Sequence, residues 1–212
     1  MTFITSYNVR VWWRDLNPFK ETWWVRRALA VRERIKQHRP IVICFQELVF
    51  PANLFAVPTG YCRITWGPSH VIYIRKEFAE WYRPTFRFRY CSACLARCGD
   101  TLVVNVHLHW NEEILRRNLE AIKKRVLDHD GPAVICGDFN AGRQEIDQIF
   151  GDTFHHIIQN KDTFQNWKTG KKGKIDHFYV KDFPEKVEAT AGQLDKVSDH
   201  AMMMLQTSQI TL

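Results

Sequence analysis

Ala133-Val134-Ile135-Cys136-Gly137-Asp138-Phe139-Asn140 is the stretch on which the fold turns. Its first four residues form a continuous apolar run, too short for a helix, and read as a strand covered on both faces. Gly137 ends the run, and an aspartate and an asparagine follow at once, so a buried strand delivers polar side chains at its tip. Upstream, residues 112–129 set Ile114, Leu115, Leu119, Ile122, Val126 and Leu127 on one face of a helix that Gly131-Pro132 closes. Residues 101–109 before it alternate as a strand does and finish in His107-Leu108-His109. The unit is therefore strand, polar tip, helix, strand, polar tip.

The same unit stands at the start of the chain. Residues 3–7 are a short β-prone run ending at Asn8, and residues 11–19, aromatic and interrupted by Pro18, read as a loop. Across residues 22–38, Trp24, Ala28, Val31 and Ile35 recur at spacings of four, three and four, an amphipathic helix closed by Pro40. Residues 41–45 are then a wholly apolar strand carrying Gln46-Glu47 at its end. Further strands are expected at 61–66, at 71–75, and as a hairpin of 86–97 with 101–109 that turns at Gly99-Asp100. A third instance of the pattern is 174–180, which contains Asp176, and the last is Ser198-Asp199-His200, which opens into the strand-like 201–205. No linker or low-complexity segment divides the chain, so residues 1–212 are expected to form one domain. Mixed strands and helices of this kind predict an α/β fold, two packed mixed β-sheets flanked by helices, with the polar tips gathered on one rim.

Composition narrows the class. Hydrophobic residues at 45% and charged residues at 25% exclude a disordered chain, and no apolar run is long enough for a membrane span. Thirty Lys and Arg against 23 Asp and Glu leave a formal charge of +7, which favours a polyanionic partner through the summed surface field. Met1 leads directly into strand-like sequence with no basic leader, so an intracellular location, cytoplasmic or in the nucleoid or nucleus, is expected. Cys44 and Cys136 lie inside apolar runs and read as free core cysteines. Cys91, Cys94 and Cys98 lack a fourth ligand at a zinc-site interval.

Asn8, Glu47, His107, Asp138, Asn140, Asp176, Asp199 and His200 all sit at strand tips, several against apolar strands where an unpaired charge is costly. Carboxylates and amides, without a cysteine or histidine cluster, suit Mg2+ or Mn2+ rather than zinc. Such a cation polarises a phosphoryl oxygen, a carboxylate activates water and a histidine supplies hydrogen bonds or a proton. Phosphodiester hydrolysis uses that set of groups. Each motif alone has a plain reading, a turn at Asn8 or after Gly137, a loop carboxylate at Glu47, a structural pair at Asp199-His200. Their joint order is what carries weight.

That order resembles the endonuclease/exonuclease/phosphatase superfamily. The stretches that carry the resemblance are Ser6-Tyr7-Asn8-Val9, Phe45-Gln46-Glu47, Asn105-Val106-His107-Leu108, Gly137-Asp138-Phe139-Asn140, Lys174-Ile175-Asp176-His177 and Ser198-Asp199-His200. The superfamily includes pancreatic deoxyribonuclease, abasic-site endonucleases, tyrosyl-DNA phosphodiesterases, sphingomyelinases and inositol-phosphate phosphatases, and its fold is a four-layered α/β sandwich. The resemblance implies Glu47 as principal metal ligand, Asp199 as a nearby acidic ligand and Asn8 as the holder of a metal-bound water or the phosphate. It implies Asp138 as the activator of water with Asn140 assisting, His200 on the scissile phosphate, and Asp176 orienting His200. His107 matches the family's second histidine, a phosphate binder or proton donor. In deoxyribonuclease-like members a glutamate ahead of the strand matching residues 71–75 pairs with that histidine. Here Pro68-Ser69-His70 stands instead, so His107 is expected to lack that carboxylate.

The substrate reading rests on Asn166-Trp167-Lys168-Thr169-Gly170-Lys171-Lys172-Gly173-Lys174, which runs directly into Asp176. Lys168, Lys171, Lys172 and Lys174 can hold a phosphate backbone while Trp167 stacks on a base or sugar. Trp12-Trp13-Arg14 to Trp23-Trp24 is a second candidate wall, although one of the last two tryptophans is expected in the core. The sequence thus points to a monomer that acts on nucleic acid, DNA ahead of RNA, with Mg2+ or Mn2+ as cofactor and no membrane partner. The alternative is a phosphatase or phosphodiesterase for a small molecule or lipid headgroup. A non-catalytic binding module fits least, because all the central residues are present.

Overall fold

The computed structural model describes residues 2–11, 21–48, 52–65, 70–85, 93–157, 159, 161–183, 187–194 and 197–207. Its strands begin with β1 (Thr2–Val11), β2 (Val42–Leu48), β3 (Tyr61–Arg63), β4 (His70–Arg75), β5 (Tyr82–Thr85), β6 (Ala93–Cys98) and β7 (Thr101–His107). They continue with β8 (Ala133–Asp138), β9 (His155–His156), β10 (Phe164–Gln165), β11 (Lys172–Gly173), β12 (Asp176–Lys181), β13 (Val187–Ala191) and β14 (Met203–Thr207). The helices are α1 (Glu21–His38), α2 (Ala52–Ala56), α3 (Glu112–Leu127) and α4 (Arg143–Phe150). None of the described helices is long and apolar enough to cross a membrane.

Two six-stranded mixed sheets result, one ordered β13-β14-β1-β2-β4-β3 and the other β5-β6-β7-β8-β12-β9, while β10 and β11 form a small hairpin. At the centre of each sheet lies one parallel pair, β1 with β2 and β7 with β8. A parallel pair needs a crossover, and α1 and α3 supply it, each lying back across the outer face of its own sheet. This is why the sequence shows the same strand, tip, helix pattern twice.

Strand alternation sorts the side chains into three cores. Val42 and Cys44 of β2, Val103 of β7, Val134 and Cys136 of β8 and Phe178 of β12 pack between the sheets. Ile43 and Phe45 face the other way, onto Trp24, Ala28, Val31 and Ile35 of α1. Val104, Ile135 and Tyr179 face outward onto Leu115, Leu119, Ile122 and Val126 of α3 and onto Ile146 and Phe150 of α4. The layers are helix, sheet, sheet, helix, the four-layered sandwich expected.

Several elements go beyond the sequence reading. β1 and β2 continue past their apolar runs through Asn8 and Glu47, because Asn8 still pairs with Gln46 and, past an irregularity, Val11 pairs with Leu48. The short helices α2 and α4, the strands β9 and β13, and the β10–β11 hairpin were not foreseen. Cys44, Cys94, Cys98 and Cys136 are buried free thiols, and no cysteine joins a metal-ligating group among the described residues. Of the loop expected at 11–19, Val11 instead ends β1 and residues 12–19, with the Trp12-Trp13-Arg14 wall, lie outside the described residues, as do residues 86–92 of the hairpin arm expected at 86–97, whose remainder falls in β6.

A buried polar bridge runs between the two sheets. Gln46 Nε2 donates to Asn105 Oδ1 at 2.6 Å, and Asn105 Nδ2 donates to the carbonyls of Phe45 and Val71 at 3.0 and 3.1 Å. It satisfies groups that would otherwise be orphaned in an apolar interior and fixes the register of one sheet over the other.

Candidate active site

The topology brings the polar tips to one rim. β1 and β2 are parallel and end together, with Asn8 beside Gln46, and β7 and β8 end together with His107 beside Asp138. β12 runs antiparallel to β8, so its first residue, Asp176, pairs with Asp138. β14 runs antiparallel to β1, which sets the preceding Asp199-His200 over the end of β1. Ser198 fastens that segment, its Oγ donating to Asn8 O at 2.7 Å and accepting from His200 N at 3.2 Å.

Backbone strain marks the same places. Glu47, Asn140 and Arg10 have φ of 53°, 51° and 47°, left-handed values that cost free energy for residues with a Cβ and collect at functional sites. Gly137 has φ of 140°, and a Cβ there would meet the carbonyl oxygen of Val106 at 2.0 Å. Only glycine allows β8 to lie this close to β7 immediately before Asp138.

Asp138 is the hub. Its Oδ2 accepts from Asn8 Nδ2 at 3.0 Å, and its Oδ1 accepts from Asn140 N at 2.8 Å. His107 Nε2 lies 3.8 Å from Oδ2 on one side and His200 Nε2 3.7 Å on the other. Burial pushes the Asp138 carboxyl up to about 6, and Asp176 adds to the rise against the opposing pull of His200, His107 and the Asn140 amide. His200 Nδ1 is held by Asp176 at 2.9 and 3.1 Å. Burial works against the charged ring, yet Asp176, Asp138 and Asp199 outweigh it and carry the imidazole up to about 10, a buried imidazolium at neutral pH.

Two groups of side chains offer ligand atoms within 4.8 Å of one another, Glu47 with His107 and Asp138, and Asp138 with Asp176 and His200. Carboxylate oxygens predominate in both, the donor chemistry of a hard divalent cation. His107 Nε2 is 3.5 Å from Glu47 Oε1, so the histidine expected to lack its usual carboxylate faces Glu47 and Asp138 instead. Asn8 directs its amide nitrogen at Glu47 Oε1, 3.1 Å away, and its Oδ1 accepts from Arg10 N, so it supports the carboxylates as a donor. Asp199 belongs to neither group: its Oδ2 is paired with the Arg10 guanidinium, while its Oδ1 is buried without a hydrogen-bond partner. Such an orphaned carboxylate oxygen beside the cluster fits a cation ligand.

Sequence reasoning missed the residues that brace this constellation. Thr163 is buried, and its Oγ1 accepts from both Ile175 N and Asp176 N at 3.1 Å, fixing the entry into β12. Arg27 of α1, apparently on the wet side of its helix, is buried, with Nη2 donating to Val9 O at 2.9 Å and Nε donating to Val197 O. It joins the end of β1 to the segment before Asp199. No spacing in the chain announces contacts between residues so far apart.

The expected substrate loop is a tight hairpin against the site. Gln165 N donates to Asp199 O at 2.8 Å, and the Phe164 ring stands 5.0 Å from His200. Trp167 lies 5.5 Å from the guanidinium carbons of both Arg10 and Arg27. Lys168, Lys171, Lys172 and Lys174 are exposed on this hairpin, and Lys174 also donates to Gln159 O at 3.1 Å.

Beside Asp176, His177 Nε2 donates to Ala141 O at 3.0 Å, which leaves Nδ1 to accept from His156 Nε2, also at 3.0 Å. That relay requires His177 neutral, because its Nδ1 is the acceptor. Burial depresses both rings, and His177 and Arg143 help take His156 down to about 4. At His156 the unfolded chain therefore binds a proton that the folded chain refuses, and this group's contribution to stability should be lost as pH falls from about 6.5 to about 4, against the opposite trend of Asp138. Thermal unfolding across that window checks this, with His156→Gln expected to show a shallower loss.

The comparisons with known proteins accord with this geometry. Residues 6–200 match the model of the Endonuclease/Exonuclease/phosphatase family. No curated protein matches the sequence. A functionally unknown conserved protein from Enterococcus faecalis has a similar structure at 20% identity, covering 96% of this chain and 98% of that one, with a TM-score of 0.71. Humanized D. rerio TDP2 is similar at 14% identity over 96% and 98%, with a TM-score of 0.73. The Bacteroides thetaiotaomicron mannosyl-6-phosphatase is similar at 18% identity over 97% and 99%, also at 0.73. At these identities the structures speak for the fold, and the family match, running from Ser6 to His200 and spanning every tip residue of the rim, shows that the chain belongs to the endonuclease/exonuclease/phosphatase family of phosphoester hydrolases.

Proposed function

We propose that this chain is a Mg2+- or Mn2+-dependent phosphodiesterase of nucleic acid, acting on DNA as an endonuclease. The observation that carries the reading is the lysine-bearing hairpin bonded to Asp199, which sets positive charge and an indole at the edge of the Asp138 cluster. Glu47 and Asp199 would hold the cation, with Asn8 keeping Glu47 and Asp138 in place through its amide. Bound there, the cation would supply charge neutralisation at the phosphoryl and leaving oxygens.

The chain's own groups do the rest. Asp138 takes the proton of the attacking water at Oδ2, and the Asn140 amide on Oδ1 fixes the carboxylate plane. His200, charged and oriented by Asp176, donates to a phosphate oxygen and stabilises the charge that grows there. His107, on the opposite side of Asp138, serves the phosphate or the leaving oxygen.

Supercoiled plasmid incubated with Mg2+, with Mn2+ and with chelator tests the reading. Nicking is expected with either metal and none with chelator. Folded protein that leaves both plasmid and single-stranded circular DNA intact under both metals would sink the DNA-endonuclease reading and direct attention to RNA and small phosphoesters.

A further inference from the structure

Among the described residues two indoles stand open to solvent, Trp110 at 76% and Trp167 at 45%. Both lie on segments fastened to the candidate site. The Trp167 hairpin sits beyond His200, bonded to Asp199. Trp110 follows His107 by three residues, and its loop is anchored by Leu108 N donating to Asp138 O at 2.8 Å and by Asn140 Nδ2 donating to Leu108 O at 2.9 Å. Two residues of chain reach at most about 7 Å, so the backbone at Trp110 stays at the rim. In its sheet β8, which ends in Asp138, lies between β7, which ends in His107, and β12, whose first residue Asp176 holds His200. The two indole-bearing segments therefore belong to opposite sides of the reacting centre.

Trp110 is also held. The His109 ring stacks on it with centroids 5.4 Å apart and planes 24° from parallel. His109 Nδ1 accepts from Asn111 N at 3.0 Å, and Asn111 caps α3 by accepting from Ile114 N at 3.2 Å. A flat aromatic pair is thus fixed to a helix start while its face remains in water, and preorganised exposed aromatics are efficient binding groups because little freedom is lost on contact. Trp167 is steadied in the same way by Arg10 and Arg27.

We propose that Trp110 with His109, and Trp167 opposite, are stacking platforms for the bases on either side of the scissile phosphate, and that the substrate is an unpaired polynucleotide strand crossing the site. The inference rests on the phosphodiesterase reading above. In a duplex each base is already stacked on its neighbours, whereas an unpaired strand offers free base faces to aromatic rings. Two platforms also call for residues of substrate on both sides of the phosphate, which a phosphomonoester lacks.

The test uses the full chain with Mg2+ and one end-labelled strand in four forms: unpaired DNA, the same sequence as RNA, the DNA annealed to its complement, and the DNA with tetrahydrofuran nucleotides in place of the bases. Trp110→Ala is expected to raise KM for the unpaired strand about tenfold or more, with kcat within about twofold, and Trp110→Phe to recover most of the loss. On the base-free strand wild type and Trp110→Ala should have equal KM. The DNA and RNA arms identify which backbone is taken, and a lower KM for duplex than for unpaired strand would overturn the proposal. So would an unchanged KM for Trp110→Ala on the base-bearing strand. Fluorescence anisotropy of the same strands in chelator reads binding without turnover. If wild type cleaves no strand, the phosphodiesterase reading fails, while Trp110-dependent binding to bases still decides the platform.

Discussion

Asp138→Asn is expected to lower phosphodiester hydrolysis by about a thousandfold, the size of contribution a positioned general base makes. The fold should survive it, with a stability that gains on wild type as pH rises. Asp138 is buried beside Asp176, and its carboxyl is pushed up to about 6 from an ordinary value of 3.8, so ionising it opposes folding. The sign follows from proton binding. Between about pH 4 and 6 the folded wild type holds a proton that the unfolded chain has released, so this group's contribution declines as pH rises through that window. An amide stays neutral throughout and still accepts from Asn140 N, but its Nδ2 then meets the Asn8 Nδ2 that donated to Oδ2, at a cost of about 1 kcal/mol. Thermal unfolding of the metal-free proteins should show Asp138→Asn below wild type near pH 4 and gaining on it as pH rises to 7. A variant that hydrolyses at a tenth of the wild-type rate would remove Asp138 from the role of base. One that loses both activity and fold would show that Asp138 is structural.

Gly137→Ala should give the largest loss of stability from a single methyl group anywhere on the rim. The added carbon would lie 2.0 Å from Val106 O and 2.9 Å from Val106 C and N, all backbone atoms of the paired strand, so no side chain can move aside to relieve the clash. A φ of 140° adds strain for any residue with a Cβ. Overpacking and a forbidden backbone together should cost about 3 to 5 kcal/mol, which for a chain of this size lowers Tm by roughly 10 °C. Because His107 and Asp138 are the next residues on the two strands, relief by parting them would also disassemble the hub. Calorimetry together with hydrolysis by the folded fraction separates the two effects. A Tm within a degree or two of wild type would mean that β7 and β8 are not held so closely.

Much of this architecture was legible in the chain because burial on both faces leaves continuous apolar runs. Residues 41–45 and 133–136 could only be covered strands, and the helices between parallel partners were implied by the length and periodicity of residues 22–38 and 112–129. The tip residues were legible for a related reason: a carboxylate directly after such a run must have a purpose. What the chain did not disclose was contact between distant segments. Arg27 is spaced as a solvated residue of α1 and is instead buried on Val9 O and Val197 O. Thr163 belongs to no motif, yet it carries two amides at the head of β12. α4 escaped notice because Gly142 offers no capping side chain and Arg143–Phe150 is only eight residues long. The pairing of Asp199 with Arg10 could not be inferred from either neighbourhood, since 189 residues separate them.

β1 and β14 lie side by side, with Ser6 opposite Met203, so opposite ends of the described chain are hydrogen-bonded neighbours. A ribosome makes the chain from one end only. While synthesis proceeds, β1 has one neighbouring strand and waits for the other, and Asp199 and His200, which sit just before β14, do not yet exist. Contacts of such long sequence separation also form late in folding because the loop they close is so long. The rim is consequently completed late in the described fold, and a nascent chain, however well its helices and central strands have formed, has no complete site until β14 has been made.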